Sequence, residues 1–273
     1  MRNRSKTYIT CSLIFILGFL GLASLASTAL AISETSSPDR LLAITGVHIV
    51  PVTSDEIKSG TILIKGNRIE AVGENISLPE GTTIINGQGL TAYPGLIDSY
   101  SSLGLVEISG VAATVDNRET GRINPQVKAI EALRYDSMHI PIARTNGIVA
   151  AVVAPTGGLI SGQATLIKLH GWTNREMAIK DSLALIVELP GIRGNRRSFT
   201  RTTGQQPVST DKALAELKEL FHRARMYEKR KDYARKNMLI SPPDLDETSL
   251  FLLPVIKGEL PVIFSVHADK DIL

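Results

Sequence analysis

One short stretch constrains the fold more than any other: Ala92-Tyr93-Pro94-Gly95-Leu96-Ile97-Asp98-Ser99-Tyr100-Ser101-Ser102-Leu103-Gly104-Leu105. Proline fixes φ and glycine tolerates positive φ, so Pro94-Gly95 reads as a sharp entry into a strand. Leu96 and Ile97 are expected to be buried in that strand. Asp98, Tyr100 and Ser102 then alternate near its C-terminal end, where one face collects polar groups.

The segments before this stretch are short and β-rich. Residues 41–51 form an apolar run, and Thr61 to Lys65 reads as a strand. Gly66-Asn67 reads as a tight turn, and Arg68 to Gly73 completes a hairpin. Residues 82–86 add a strand, with His48 as a strand histidine on an edge or a partly buried face. After the organising stretch, residues 106–125 are a polar loop holding Glu107, Asp116, Asn117, Glu119 and Arg122. Residues 126–135 predict a helix with an Ala129, Ile130, Leu133 stripe. Residues 147–154 are apolar throughout, as a strand covered on both faces requires. Residues 164–171 and 182–189 predict further strands.

Residues 193–210 carry Arg193, Arg196, Arg197 and Arg201 in a polar loop. The spacing of Leu214, Leu217, Leu220 and Phe221 predicts a long helix from Asp211 to about 238, capped by Thr210 or Asp211. Its basic second half, with Tyr227 and Tyr233, reads as a solvated face. Residues 245–256 predict an amphipathic helix, and residues 260–269 a last strand.

Pro94-Gly95-Leu96-Ile97-Asp98 resembles the first barrel strand of the amidohydrolase superfamily, where Pro-Gly-[Leu/Phe]-Ile-Asp-x-His-x-His is usual. The two histidines of that pattern bind a catalytic metal, and they fall on Tyr100 and Ser102. The Gly-Gly-Leu-Ile-Ser-Gly-Gln163 series and Gly171-Trp172-Thr173 resemble an exported, imidazolonepropionase-like subgroup whose members often lack that histidine pair. The resemblance implies an α/β fold: a small β-sandwich module over 41–91, then a partial (β/α)8 TIM barrel over 92–273. It covers the N-terminal part of the family's domain only. The later barrel strands, the final catalytic Asp and the strands that complete the sandwich are missing, so the chain is expected to be truncated.

The same resemblance implies a hydrolase of amide or cyclic-amide C–N bonds using a divalent metal, zinc by preference. It makes His267, in a His-Ala context on the last strand, the best single ligand candidate. Asp116, Glu119, Gln163 and His170 are candidates for contacts with a small-molecule or peptide-like substrate. The alternative is a degenerate, metal-free binding protein on the same scaffold, which Tyr100 and Ser102 favour.

Arg2, Arg4 and Lys6, an apolar stretch over 11–25 and Ala29-Leu30-Ala31 predict a signal peptide over 1–31, followed by a linker over 32–40. Export to the periplasm or the medium is expected, with no stable membrane insertion after cleavage. The one cysteine, Cys11, lies in that leader, so no disulfide, thiolate nucleophile or Cys-based zinc site is expected in the mature chain. The net charge of +3 includes the leader's three cations, so nothing recommends nucleic acid as a partner.

Overall fold

The computed structural model describes residues 40–190, 209–237 and 239–266. The chain divides into two compact units at Pro94/Gly95.

The first unit is one mixed five-stranded sheet. β1 (Leu41–Ile49) pairs antiparallel with β2 (Ile57–Lys65), and β2 pairs with β3 (Arg68–Gly73) across the Gly66-Asn67 turn. Gly66 takes φ 58°, the left-handed conformation that such a tight turn needs. β4 (Thr83–Asn86) and β5 (Thr91–Ala92) run parallel to β1. Ala43, Val47, Ile49 and Leu63 are buried, while Ile69, Val72, Ile84 and Ile85 are exposed. His48 is a partly buried histidine of the inner strand β1, beside Thr91 of β5, with its Nε2 3.1 Å from Glu56 Oε2.

The second unit is built on a five-stranded sheet in the order β10-β9-β8-β7-β6. Its strands are β6 (Leu96–Ser101), β7 (Ile148–Val153), β8 (Ile160–Lys168), β9 (Ala178–Glu188) and β10 (Val262–Ser265). β6 and β7 are parallel, as are β9 and β10, whereas β8 runs antiparallel to both of its neighbours. The strand expected over residues 164–171 therefore begins earlier, at Ile160, and interrupts the parallel order.

Helices cover one face. α1 (Ala129–Ala132) and α2 (His139–Thr145) pack Ala129, Leu133 and Ile140 onto Ala151, Val153 and Ile167. After α3 (Asn174–Met177) come α4 (Thr210–Lys236) and α5 (Glu247–Ile256). They pack Leu217, Leu220, Ala224 and Leu252 onto Ile160, Leu185 and Val187. The opposite face gathers Val152, Ala154, Ala164 and Ile186, with Ile263 beside them. No helix among the described residues is long and apolar enough to cross a membrane.

Several expectations need correcting. Residues 126–135 form a single helical turn, because their backbone is spent on β8. Gln163 N–H donates to Val127 O, Gln163 Nε2 to Pro125 O at 2.7 Å, and Ile130 N–H to Thr165 Oγ1. The long helix is capped by Ser209, not by Thr210 or Asp211. Its buried stripe is Ala213, Leu217, Leu220, Ala224 and Tyr227, with Leu214 outside it. Leu96 and Ile97 are 59% and 66% exposed rather than buried, since β6 is an edge strand with a neighbour on one side only.

Candidate functional site

β6, β7, β9 and β10 all point the same way, so their C-terminal ends share one rim. In barrel-type α/β folds that rim carries the chemistry. Strand alternation sets Glu188 on the face of Ile186, and Ser265 on the face of Ile263. Tyr100 reaches the same place from β6. Its phenol is hydrogen-bonded to the Ser265 side chain and feels the Glu188 charge. β6 and β10 are the two edges of the sheet, so the sheet curls enough to bring Tyr100 within reach of Ser265.

Partial burial holds the Tyr100 hydroxyl above its ordinary value, and the Glu188 carboxylate pushes it the same way. Ser265 opposes both by hydrogen-bonding to the phenol oxygen. Tyr100 is thus a neutral phenol at physiological pH, and it remains 40% exposed. Glu188 Oε1 accepts the Gly157 N–H at 2.8 Å, tying the Gly157-Gly158 turn to the end of β9. Gly157 takes φ 93°, and a Cβ there would lie 2.8 Å from Arg118 Nε, so the first polar loop rests on this turn. Thr156 N–H also donates to Asn117 O.

The other residues singled out in the sequence scatter. Ser102 lies just past β6, and its carbonyl accepts the Leu105 N–H. Asp116 is exposed and its N–H donates to Leu105 O. Glu119 is exposed and takes both hydrogen bonds of its neighbour Thr120, which lower its pKa. Gln163 is buried and committed to Pro125, a structural role. His170 follows β8, and the reversed direction of that strand puts it at the opposite end of the strands from the rim, its Nδ1 3.4 Å from Arg144. His267 lies outside the described residues, as do Arg193, Arg196, Arg197 and Arg201.

Glu188 and Ser265 are the site residues that sequence reasoning missed. The one available signal was Glu188, a lone charge ending an apolar run.

Among the described residues, the donors on the rim do not fit a divalent metal. A neutral phenol and an aliphatic hydroxyl stand where two imidazoles would be needed, and Glu188 already holds a backbone N–H. Among the described residues no three His, Cys, Asp or Glu side chains gather into a ligand set.

No protein-family profile matches the chain. A 60-residue segment is 32% identical to 5'-deoxyadenosine deaminase from Methanosphaera stadtmanae, over 22% of this chain and 14% of that protein. A 52-residue segment is 42% identical to imidazolonepropionase from Alkaliphilus metalliredigens, over 17% and 12%. A 133-residue segment is 26% identical to amidohydrolase tasK from Hapsidospora irregularis, over 44% and 14%. In fold, the chain resembles the crystal structure of an amidohydrolase from Thermotoga maritima, with TM-score 0.75 and 24% identity. That match covers 85% of this chain and 59% of the other. The chain thus spans about three-fifths of that structure, and its matched segments are about an eighth of each curated relative. In fold the chain is thus similar to a partial amidohydrolase barrel, and in local sequence to proteins named amidohydrolase, imidazolonepropionase and deaminase.

Proposed function

We propose that this chain forms part of a hydrolase of non-peptide C–N bonds, in amides or cyclic amides, acting on a small molecule at the rim formed by β6, β9 and β10. The observation that carries this reading is the joint likeness to an imidazolonepropionase and to proteins named amidohydrolase or deaminase. The reaction adds water to a carbonyl carbon, breaks its bond to nitrogen and leaves a proton on the departing nitrogen. Superfamily members generally use a divalent metal, zinc in the expectation above. The described rim residues do not fit one, so no step is routed through it. The chain's own residues supply a neutral hydroxyl at Tyr100 and a carboxylate at Glu188, anchored to the Gly157 turn. Incubation with hydantoin, dihydrouracil and 2-pyrrolidinone, followed by mass spectrometry, tests this. Ring-opened products carrying one added water are expected from at least one of them, and an unchanged panel would sink the reading.

A second reading, a binding protein without turnover on the same scaffold, is favoured by Tyr100 and Ser102 in the histidine positions. It expects saturable binding of such amides with no ring opening. Export is part of either reading, supported by the leader pattern of Arg2, Arg4, Lys6 and Ala29-Leu30-Ala31. Cleavage after Ala31 removes about 3 kDa from the intact mass of the cell-derived protein. A retained leader would count against export by this route.

A further inference from the structure

We infer that the second half of α4 (Thr210–Lys236) is a docking surface for an anionic lipid bilayer. Its cations meet lipid phosphates, and the apolar side chains between them enter the headgroup layer. From Arg223 to Lys236 the helix holds seven cations and two carboxylates. Both carboxylates are already taken. Glu228 pairs with Lys257 at 3.0 Å, and Asp232 with Arg235 at 3.3 Å. Arg223 reaches Asp246 at 3.9 Å. Arg225, Lys229, Arg230 and Lys236 are exposed and take no ion pair among the described residues.

Helical spacing decides where these charges point. Leu220, Ala224, Tyr227 and Ala234 are the buried side of this half. Positions 225, 229 and 236 lie opposite, at intervals of four and seven, with Met226 and Tyr233 among them. Met226 is 37% and Tyr233 59% exposed, so the two tyrosines of this half part ways, Tyr227 inward and Tyr233 outward. Leu239 and Ile240, just past the end of the helix, are exposed as well. In the first half, exposed Asp211 and Glu219 offset Lys212 and Lys218, so the positive field is confined to the second.

Cations interleaved with an aromatic ring, a thioether and aliphatic groups on one outward side are what an interfacial helix presents. Single-stranded nucleic acid rewards stacked aromatics in a basic groove, and exposed leucine and isoleucine would gain nothing from its phosphates. A bilayer rewards both kinds of side chain. Each cation near an anionic leaflet contributes about fivefold in affinity.

The test uses the 273-residue chain and two kinds of vesicle, phosphatidylcholine alone and equal parts of phosphatidylcholine and phosphatidylglycerol. Stronger cosedimentation with the anionic vesicles is expected, weakening as salt screens the charges. Lys229→Gln together with Lys236→Gln should weaken it by roughly twentyfold. Lys58→Gln together with Lys180→Gln removes the same charge from exposed positions on β2 and β9 and should leave it as it was. Hydroxyl-radical footprinting then locates the contact. Anionic vesicles should protect Met226 and Tyr233 but not Met138 and Trp172, which are 70% and 78% exposed elsewhere. The inference is overturned if both vesicles bind alike, if the two double variants behave alike, or if Met226 and Tyr233 stay fully reactive. The cationic leader is common to all variants, so binding through it alone would make the two pairs equal. Protection by single-stranded oligothymidylate and not by vesicles would overturn it in favour of nucleic acid. Should a variant not fold, the footprint of wild type still decides. Hydrolysis is not read, so the outcome is separate from that of the proposed activity.

Discussion

Gly95 shows how one absent methyl group fixes the start of a strand. It is not among the glycines with positive φ, so the turn chemistry expected of Pro94-Gly95 is not its reason. A Cβ at this position would instead lie 2.4 Å from Val149 Cγ1, because β6 and β7 approach closely there. Gly95→Ala is therefore expected to destabilise by about 1–3 kcal/mol, the usual cost of overpacking. Val149→Ala in the same chain should recover most of that loss in urea denaturation. A neutral Gly95→Ala would mean that the strands are not so close. Tyr100 offers a second check. Its folded-state pKa lies above the ordinary 10.0, so its contribution is complete below pH 10.0 and is lost as pH rises through the folded value. Tyr100→Phe should flatten the alkaline limb of the stability profile and leave the neutral range unchanged in shape. At this scale the sequence showed Tyr100 and Ser102 plainly, because a local motif set them in register. Glu188 showed only as a lone charge ending an apolar run and Ser265 not at all, since the curl of the sheet is what brings them towards Tyr100.

At the scale of elements, backbone accounting explains both success and failure. The long helix was legible from its apolar spacing, and so was the hairpin of β2 and β3 from its Gly-Asn turn. The helix expected over residues 126–135 was not there, because Gln163 and Thr165 take its backbone groups. Gln163→Leu leaves the Pro125 carbonyl without its partner and should cost about 1–3 kcal/mol in chemical denaturation. Asp246 caps α5 through the Ser249 N–H at 3.0 Å and the Ser249 hydroxyl at 2.6 Å. These bonds, with Arg223 nearby, hold its carboxyl below the usual range. Its stabilisation is then present above pH 3.8 and lost as pH falls through the lower folded value. Asp246→Ala should cost about 1 kcal/mol at neutral pH. The difference from wild type should shrink below pH 3.8 in acid titrations followed by circular dichroism.

At the scale of the molecule, the two units were legible as a β-rich stretch followed by an α/β one, but the direction of β8 was not. Apolar alternation reads the same forwards and backwards, so no pattern in residues 160–168 reveals an antiparallel strand. Exposure was equally hidden. Leu96, Ile97 and Val149 read as core residues, yet they stand exposed on or beside the edge strand β6, and Phe264 is exposed on the other edge. Apolar residues on unpaired edges invite association. The 273-residue chain is expected to sediment with concentration-dependent mass, and Ile97→Lys to reduce that dependence without lowering the melting temperature. A monomer at all concentrations would contradict this.

The reversal of β8 also orders events in time. β7, β8 and β9 follow one another in sequence and pair as neighbours, so they form a meander closed by short loops. β6 reaches β7 only across residues 102–147, and β10 reaches β9 only across residues 189–261. Local pairings precede distant ones because they forfeit less chain freedom. The meander is thus the natural nucleus, and its amides should exchange hydrogen most slowly. Tyr100 and Ser265 arrive on the last two strands to dock, so the rim exists only once the sheet is complete, and any unzipping of an edge dismantles it first.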